Sequence, residues 1–202
     1  MSENERSYPR RVTCGDAEVE IARMTRADRD ALVAFVASLP PHDLLFVPRD
    51  LRHPKVVEAW MRSLERGEVE SLVARHAGAM VGCTGIISDE LSWSKHVGEL
   101  RVLVGPAWRG RGLGRGLFQE CFARALERGL KKLVSQMTVE QHGAIAVFEQ
   151  LGFRAEALLA RHVADPSGKL HDLVLLSHDV AAVRARNEAL GLTEALDGRS
   201  GG

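Results

Sequence analysis

Two periodicities of apolar residues alternate along the chain, and together they predict a mixed α/β domain. Segments in which apolar and polar residues alternate, or in which apolar residues run together, are expected to be strands: 17–24, 68–76, 79–88, 97–104, 133–138, 153–163 and 169–178. Segments with apolar residues every three or four positions are expected to be helices. They follow Thr25, begin at Pro54, and cover 113–126 and 141–151.

Turn residues and polar ends set the expected limits of the domain. Ala77-Gly78 and Asp165-Pro-Ser-Gly168 each separate two strand segments, which predicts two antiparallel hairpins. Residues 1–11 are polar and are expected to form a loose leader. Residues 181–202 are expected to be a tail, weakly helical at first and then disordered. The prediction is therefore one domain over 12–180.

Composition excludes several classes of function. Lys and Arg together number 27, as do Asp and Glu, so no overall field attracts nucleic acid or a membrane. The three cysteines are far apart and the eight histidines show no metal-ligand spacing, so neither a disulfide framework nor a metal site is expected. With no signal-like leader and no apolar run of membrane-spanning length, the protein is expected in the cytoplasm.

A glycine- and arginine-rich loop joins the strand at 97–104 to the helix that starts near residue 113. Arg109, Gly110, Arg111, Gly112 and Gly114 form this loop. Glycines let phosphate oxygens approach the backbone, the first N–H groups of the helix lack internal partners, and arginines pair with phosphate. The segment is therefore a candidate phosphate-binding loop.

Two other phosphate-binding motifs fail at this loop. A dinucleotide fingerprint requires glycine where the chain has Arg115 or Leu117, and a Walker loop requires Lys-Ser/Thr where it has Arg111-Gly112. The spacing that fits is Arg109-x-x-Gly112-x-Gly114. This motif resembles the signature of the GNAT superfamily, which comprises acyl-CoA-dependent N-acetyltransferases. A structural alternative is a glycine-rich turn that only caps a core helix.

A second segment strengthens the resemblance: Gln141-x-x-Ala144-x-x-x-Phe148-Glu149-x-x-Gly152-Phe153. It is similar to the Asn-x-x-Ala-x-x-x-Tyr-Glu-x-x-Gly-Phe helix of GNAT proteins. The resemblance implies the GNAT fold, an α/β fold with a mixed, mostly antiparallel sheet of six to seven strands and about four helices. It also implies acetyl-CoA as cosubstrate and an amine as acceptor.

Carried over residue by residue, the resemblance implies a cofactor site in three parts. The pyrophosphate would lie on the loop that runs from Arg109 to Gly114 and includes Leu113, and the pantetheine arm along Val102, Leu103 and Val104. Gln141 and Phe148 complete it. Both depart from the family pattern: Gln141 keeps an amide in place of asparagine, whereas Phe148 lacks the tyrosine hydroxyl that protonates the departing thiolate in many GNAT enzymes.

Glu99 is the candidate general base. An exposed amine with a pKa of about 10.4 is protonated at neutral pH, so a nearby base helps the attack. Glu99 lies five residues before Val104, about 16 Å at strand rise. The strand Gly98–Val104 also resembles that of GNAT domains that acetylate protein lysines, where this glutamate is the base. A structural pair with Arg101 is the alternative, and His96 is a second candidate.

The expected function is transfer of an acetyl group from acetyl-CoA to a primary amine, either a protein lysine or a small molecule. One alternative is a non-catalytic acyl-CoA sensor of the same fold, favoured by Phe148. Another is an interaction domain without a ligand. The sequence is compatible with a monomer or a homodimer. Asp165, His171 and Asp172 lie on the final hairpin, where families of this kind often shape acceptor specificity. The expectation for these three is nevertheless that they are solvated hairpin residues.

Overall fold

A computed structural model describes residues 6–47 and 49–180. The strands are Arg10–Cys14 (β1), Ala17–Arg23 (β2), Val69–Glu70 (β3), Leu72–His76 (β4), Ala79–Ile87 (β5), Val97–Val104 (β6), Lys132–Thr138 (β7), Arg154–Ala164 (β8) and Leu170–Asp179 (β9). The helices are Arg29–Ala37 (α1), Pro54–Glu65 (α2), Leu113–Glu127 (α3) and His142–Gln150 (α4). The tail predicted at 181–202 lies outside the described residues.

All the strands belong to one sheet, in the order β1-β2-β4-β5-β6-β7-β9-β8, with β3 paired to β5. Every pairing is antiparallel except that of β6 with β7. The described part of the chain thus has a nine-stranded sheet rather than the six to seven strands predicted. The mixed, mostly antiparallel α/β architecture with four α-helices is confirmed.

The two additional strands explain the difference in number. β1 pairs with β2 from Arg10 opposite Ile21 to Cys14 opposite Ala17, so the loose leader predicted at 1–11 is wrong for residues 10 and 11. Polar residues at the edge of a sheet leave no clear apolar pattern. β3 has two residues and continues the line of β4 along β5, too short for any periodicity to show.

Helices cover both faces of the sheet. α1 and α2 pack on one face, where Leu32, Val57 and Met61 form a core with Cys83 and Leu103. α3 and α4 cover the other face in two further clusters, which include Leu100, Phe118, Phe148 and Phe153 in one and Leu113 and Leu117 in the other. Side chains of successive strand residues alternate between these faces. The two faces of β6 are therefore distinct: Leu103 points to α1 and α2, and Leu100 to α3.

Glu120 on α3 anchors the start of the described chain. It is 6% exposed and accepts hydrogen bonds from Arg6 Nη1 (2.7 Å), Tyr8 Oη (2.9 Å) and Arg10 Nη1 (2.9 Å). Burial and the bond to Glu120 raise the pKa of Tyr8. Because several donors compensate the buried carboxylate, the segment that enters β1 is held against α3.

Two general features of the described residues bear on function. None of the helices combines the length and apolarity that crossing a membrane requires. In the same residues, no group of three or more His, Cys, Asp or Glu side chains is arranged to hold a metal ion.

A bulge in β5 brings Gly82 against α3. Ala74 pairs with Gly82 and Arg75 with Met80, so Val81 is an extra residue on β5. A Cβ atom at Gly82 would lie 2.8 Å from Leu117 Cδ1 and 2.9 Å from the Leu103 carbonyl oxygen. Because the carbonyl belongs to the neighbouring strand and cannot move freely, the close packing of α3 here depends on glycine.

We expect Gly82→Ala to lower the free energy of unfolding by about 1–3 kcal/mol through overpacking. Gly116→Ala in α3 is the matched control, because no heavy atom lies within 4 Å of its Cβ position. That change should instead stabilise the helix by roughly 0.5–1 kcal/mol. Chemical denaturation of both variants measures the difference, and an unaltered Gly82→Ala protein would contradict the close contact.

Candidate functional site

The parallel strands β6 and β7 pair over only three residues and then separate. The pairs are Val97 with Lys132, Gly98 with Leu133 and Glu99 with Val134. Beyond them Ser135 Oγ donates to the Leu100 carbonyl at 2.9 Å. β6 continues along β5, and β7 continues along β9. The result is a gap in the sheet that is closed at Glu99 and opens towards the ends of both strands.

The backbone of β6 offers hydrogen-bonding groups to this gap. Leu100 O points towards β7, whereas Gly105 N–H points away and donates to Val81 O on β5 at 2.9 Å. Because backbone groups alternate between the two edges of a strand, those of Val102 and Val104 face the gap. The backbone of Leu103 faces β5. Of the three residues predicted to pair with a pantetheine arm, Val102 and Val104 are thus oriented for it.

The glycine-rich loop lies at the open end of the gap. Gly110 and Gly112 have φ values of +71° and +87°, which favour glycine, and a Cβ atom at either would project into open space. Gly112 is the N-cap of α3, and the first α-helical bond there runs from Gly116 N–H to Gly112 O. The N–H groups of residues 113–115 therefore lack intrahelical acceptors, which suits an anion.

Each arginine of the loop has a protein partner in the structure. Arg109 is bonded to Asp43, Arg111 donates to Asp16 Oδ1 at 3.0 Å, and Arg115 is bonded to Gln150. All three arginines are exposed. Exposed ion pairs contribute little stability, so these side chains can be redirected to a bound anion at small cost.

The connection between α1 and α2 reaches both sides of the gap. Its 3₁₀ turn at Pro41–Leu44 carries Asp43, which pairs with Arg109 beyond the end of β6. The same turn carries His42, whose Nε2 lies 3.1 Å from Thr138 Oγ1 at the end of β7. The opening of the gap is therefore bordered by this turn as well as by the glycine-rich loop.

Glu99 lies at the closed end of the gap and pairs with Arg101. Arg101 Nε donates to Glu99 Oε1 at 2.8 Å. The Glu99 side chain is 21% exposed and that of Arg101 is 18% exposed. Both point to the α2 face of the sheet, where Arg101 lines a pocket of about 370 Å³. The ion pair with Arg101, which was the structural alternative for Glu99, is thus present in the structure. His96 is exposed on the connector before β6.

Gln141 and Phe148 lie on the other side of the gap. Gln141 Oε1 accepts a hydrogen bond from Thr138 N–H at 3.1 Å and so closes the turn between β7 and α4. Phe148 is 5% exposed, and its ring is 4.7 Å from that of Phe118 and 5.1 Å from that of Phe153. Phe148 therefore serves first as part of the aromatic core under α3.

His171 is buried between two carboxylates at the opening. Its Nδ1 is 3.0 Å from Glu140 Oε1, and its Nε2 is 3.1 Å from Asp165 Oδ2. Hydrogen bonds to Glu140 and Asp165 raise the pKa of His171, while the bond to His171 is the main cause that lowers the pKa of Glu140 to about 2. The expectation of a solvated His171 is wrong, because the partner Glu140 comes from a different turn.

The family model for the "Acetyltransferase (GNAT) family" matches residues 29–153, which is more than half of the chain. The chain belongs to the GNAT acetyltransferase family. It is accordingly an acetyltransferase, and acetyl-CoA is its acetyl donor. The glycine-rich loop and the separated strands β6 and β7 both lie within the matched residues.

Individual proteins are similar to this chain in sequence or in fold. The chain is 31% identical to the IAA acetyltransferase of Azospirillum brasilense over 107 residues, 52% of this chain and 68% of that protein. A GNAT-family acetyltransferase from Streptococcus pneumoniae has the same fold with a TM-score of 0.69 at 22% identity, over 80% of this chain and 99% of that one. Spermidine N-acetyltransferase from Vibrio cholerae, solved with CoA and spermine, has a TM-score of 0.67 at 16% sequence identity. The match covers 81% of this chain and 96% of that one.

The fold brings most of the predicted site residues to one gap, with Glu99 at its closed end and Arg109–Gly114 at its open end. The exceptions are Leu103, whose backbone faces β5, and Phe148, which packs in the aromatic core. Sequence reasoning missed the turn that carries His42 and Asp43, and it missed the pocket beside Arg101. Local pattern gives no sign of either, because their partners are on distant elements. Two adjacent polar residues after consecutive prolines, His42 and Asp43, were the available signal.

We expect Gly112→Ala to weaken coenzyme A binding, since the +87° φ is strained for alanine and the loop backbone must shift to relieve it. Binding is measured as the rise in melting temperature with coenzyme A, which a ligand selective for the native state must cause. Gly129→Ala is the matched control: it has φ +75° with nothing within 4 Å, and it lies beyond the opposite end of α3 from the loop. Equal ligand-induced shifts in both variants would contradict the loop assignment.

The His171 cluster predicts a pH-dependent contribution to stability. Because the pKa of His171 is raised, its pairing is fully present below about pH 6.5 and is lost as pH rises through the folded-state pKa. The pKa values of Glu140 and Asp165 are lowered. Their contribution to the free energy of unfolding is therefore present above about pH 4.3 and is lost on acidification. The stability difference between wild type and His171→Gln should therefore be largest at about pH 5–6 and shrink above it. His162→Gln, at an exposed position of β8, is the control. A difference that does not vary with pH would contradict the charged cluster.

Proposed function

We propose that the protein transfers an acetyl group from acetyl-CoA to a primary amine, with Glu99 as the general base. The observation that carries the proposal is the gap between β6 and β7, which has a glycine-rich anion cradle at one end and a carboxylate at the other. A positioned base suits this reaction because an amine is unreactive while protonated.

The residues of the gap fit the parts of coenzyme A. Backbone N–H groups at Leu113, Gly114 and Arg115 would hold the pyrophosphate, with Arg109 and Arg111 turning from their carboxylate partners to the phosphates. The backbone groups of Val102 and Val104 would pair with the amides of the pantetheine arm. The remaining predicted contacts, Leu103, Gly110, Gly112, Gln141 and Phe148, would shape the walls of the gap.

The reaction needs one proton acceptor from the protein. Acetyl-CoA, when bound, supplies the acetyl thioester. The amine nitrogen forms the new C–N bond while the C–S bond breaks and its electron pair leaves with sulfur. As the amide forms, one proton of the neutral amine passes to the departing thiolate or to solvent. Before the attack, Glu99 takes the other proton, that of the ammonium, directly or through one water, and passes it to solvent. Its second carboxylate oxygen can do so, because Arg101 Nε occupies Oε1.

Phe148 leaves this chain without the tyrosine hydroxyl that many family members place there. An alkyl thiol has a pKa near the value of about 8.5 for cysteine, so the thiolate is a good leaving group without a positioned acid. Phe148 also favours a second candidate function, a non-catalytic acyl-CoA sensor. Release of free coenzyme A thiol with a panel of amines separates the two.

The acceptor class has two candidates. The Glu99 strand resembles that of protein lysine acetyltransferases, which favours a protein lysine. Similar proteins are named for different acceptors, IAA in one and spermidine in another, so these names do not identify the acceptor of this chain. A cytoplasmic location and a monomeric or homodimeric state stay predictions from the sequence.

We expect Glu99→Gln to lower the turnover number by about 10²–10⁴-fold, the usual contribution of a positioned base. Coenzyme A affinity should hardly change, because Glu99 lies five residues before the end of β6 and the phosphate loop lies beyond it. The turnover number is measured as acetyl-CoA-dependent thiol release, and mass spectrometry identifies the acetylated acceptor. The affinity for coenzyme A is measured as the rise in melting temperature that it causes.

Glu156→Gln is the matched control for this experiment. It also removes a carboxylate from an ion pair on the sheet, that with Lys132 at 2.8 Å. Glu156, however, lies on the edge strand β8, which β7 and β9 separate from β6. Its turnover should equal that of wild type. Near-normal turnover in well-folded Glu99→Gln would refute the base assignment and transfer that role to His96 or to solvent.

A further inference from the structure

A pocket of about 370 Å³ lies beside Glu99, between α2 and the β5–β6 part of the sheet. This volume is within the range of small-molecule sites, about 300–1,000 Å³. Ile87 pairs directly opposite Glu99 across the two strands, and Arg101 shares its face two residues along. Both Ile87 and Arg101 line the pocket. A molecule in the pocket would therefore lie next to the Glu99 carboxylate.

The walls of the pocket are apolar and rigid. Leu51, Val56, Trp60 and Val69 contribute to them. Trp60 Nε1 donates to Ser71 Oγ at 3.0 Å, which ties the indole to the start of β4 and fixes its plane. An apolar or aromatic side chain that lies against these residues would be removed from water.

The charges in the pocket are positive. Arg49 and Arg101 both line it, and no aspartate or glutamate is among its described lining residues. Arg101 uses Nε for Glu99, and a guanidinium has four further N–H donors on its two terminal nitrogens. Such a fork matches a carboxylate. A cationic lysine side chain or polyamine, in contrast, would be repelled by the two arginines that line the pocket.

We infer that the acceptor is a small amine that also carries a carboxylate, namely an apolar α-amino acid. Its carboxylate would bind Arg101 and Arg49, its amine would face Glu99, and its side chain would lie against Trp60. Negative Glu99 and positive Arg101, 2.8 Å apart, complement the amine and carboxylate that an α-amino acid holds on one carbon. The inference rests on the proposed function, and the bonds made and broken are those given above.

Paired substrates test the inference. L-Phenylalanine and L-leucine are compared with phenethylamine and isopentylamine, which have the same side chains without the carboxylate. We expect kcat/KM to be about 10- to 100-fold higher for the amino acids, as for the gain of hydrogen bonds between charged groups. A lysine peptide and spermidine should be poorer acceptors than L-phenylalanine.

Variants assign the preference to the two arginines. In Arg101→Gln, and to a smaller extent in Arg49→Gln, the ratio of kcat/KM between L-phenylalanine and phenethylamine should fall towards one. A merely structural defect would lower kcat/KM for both substrates by the same factor and leave their ratio unchanged. Arg52→Gln is the control, because Arg52 is bonded to Asp50 and is not among the residues that line this pocket. It should keep the ratio of wild type.

Failure of this inference is distinguishable from failure of the proposed function. Equal or better turnover of amines without a carboxylate, or a ratio unaltered in both pocket variants, would overturn the inference and leave the acetyltransferase proposal standing. If no amine releases thiol while coenzyme A still binds, the proposed function is wrong. The pocket is then tested by melting temperature with coenzyme A present. L-Phenylalanine should stabilise wild type but not Arg101→Gln, and no stabilisation would refute the inference.

Discussion

The early end of the parallel pairing between β6 and β7 is the constraint on which the rest of the site depends. β6 remains paired with β5, and β7 remains paired with β9. The sheet therefore stays intact while β6 and β7 diverge. The divergence leaves backbone groups of β6 unpaired within the sheet, at Val102 and Val104. Such groups need a partner, and an extended ligand with amides of its own can supply one.

The two ends of this gap meet different electrostatic demands. At the open end, the N-terminus of α3 and three exposed arginines attract an anion, and the partners of those arginines, such as Asp43, are bound weakly enough to be displaced. At the closed end, the Glu99 carboxylate is half-enclosed and neutralised by Arg101. In the proposed reaction, a thioester held by its phosphates at the open end would be presented to Glu99 at the closed end.

The pair of Glu99 and Arg101 links the reaction to the choice of acceptor. Resemblance of the β6 strand to lysine acetyltransferases predicts a protein lysine, whereas the pocket beside the same strand is lined by two arginines and apolar side chains. A resemblance in one strand describes the chemistry at Glu99 and says little about the surface that meets the acceptor. Apart from Arg101 on β6, that surface is assembled from α2, the segment before it, β3 and β5.

Local signals in the sequence were enough to predict most strands and helices, the glycine-rich loop and the position of Glu99, because apolar period, turn residues and glycine act within a few residues. The tertiary structure alone decided the rest. β1 forms because β2 pairs with it and Glu120 binds its side chains, and His171 is buried because Glu140 reaches it from another turn. The pocket beside Arg101 forms where α2 lies over the sheet. Each of these depends on residues that are distant in sequence, and their pairing is set by packing rather than by local pattern.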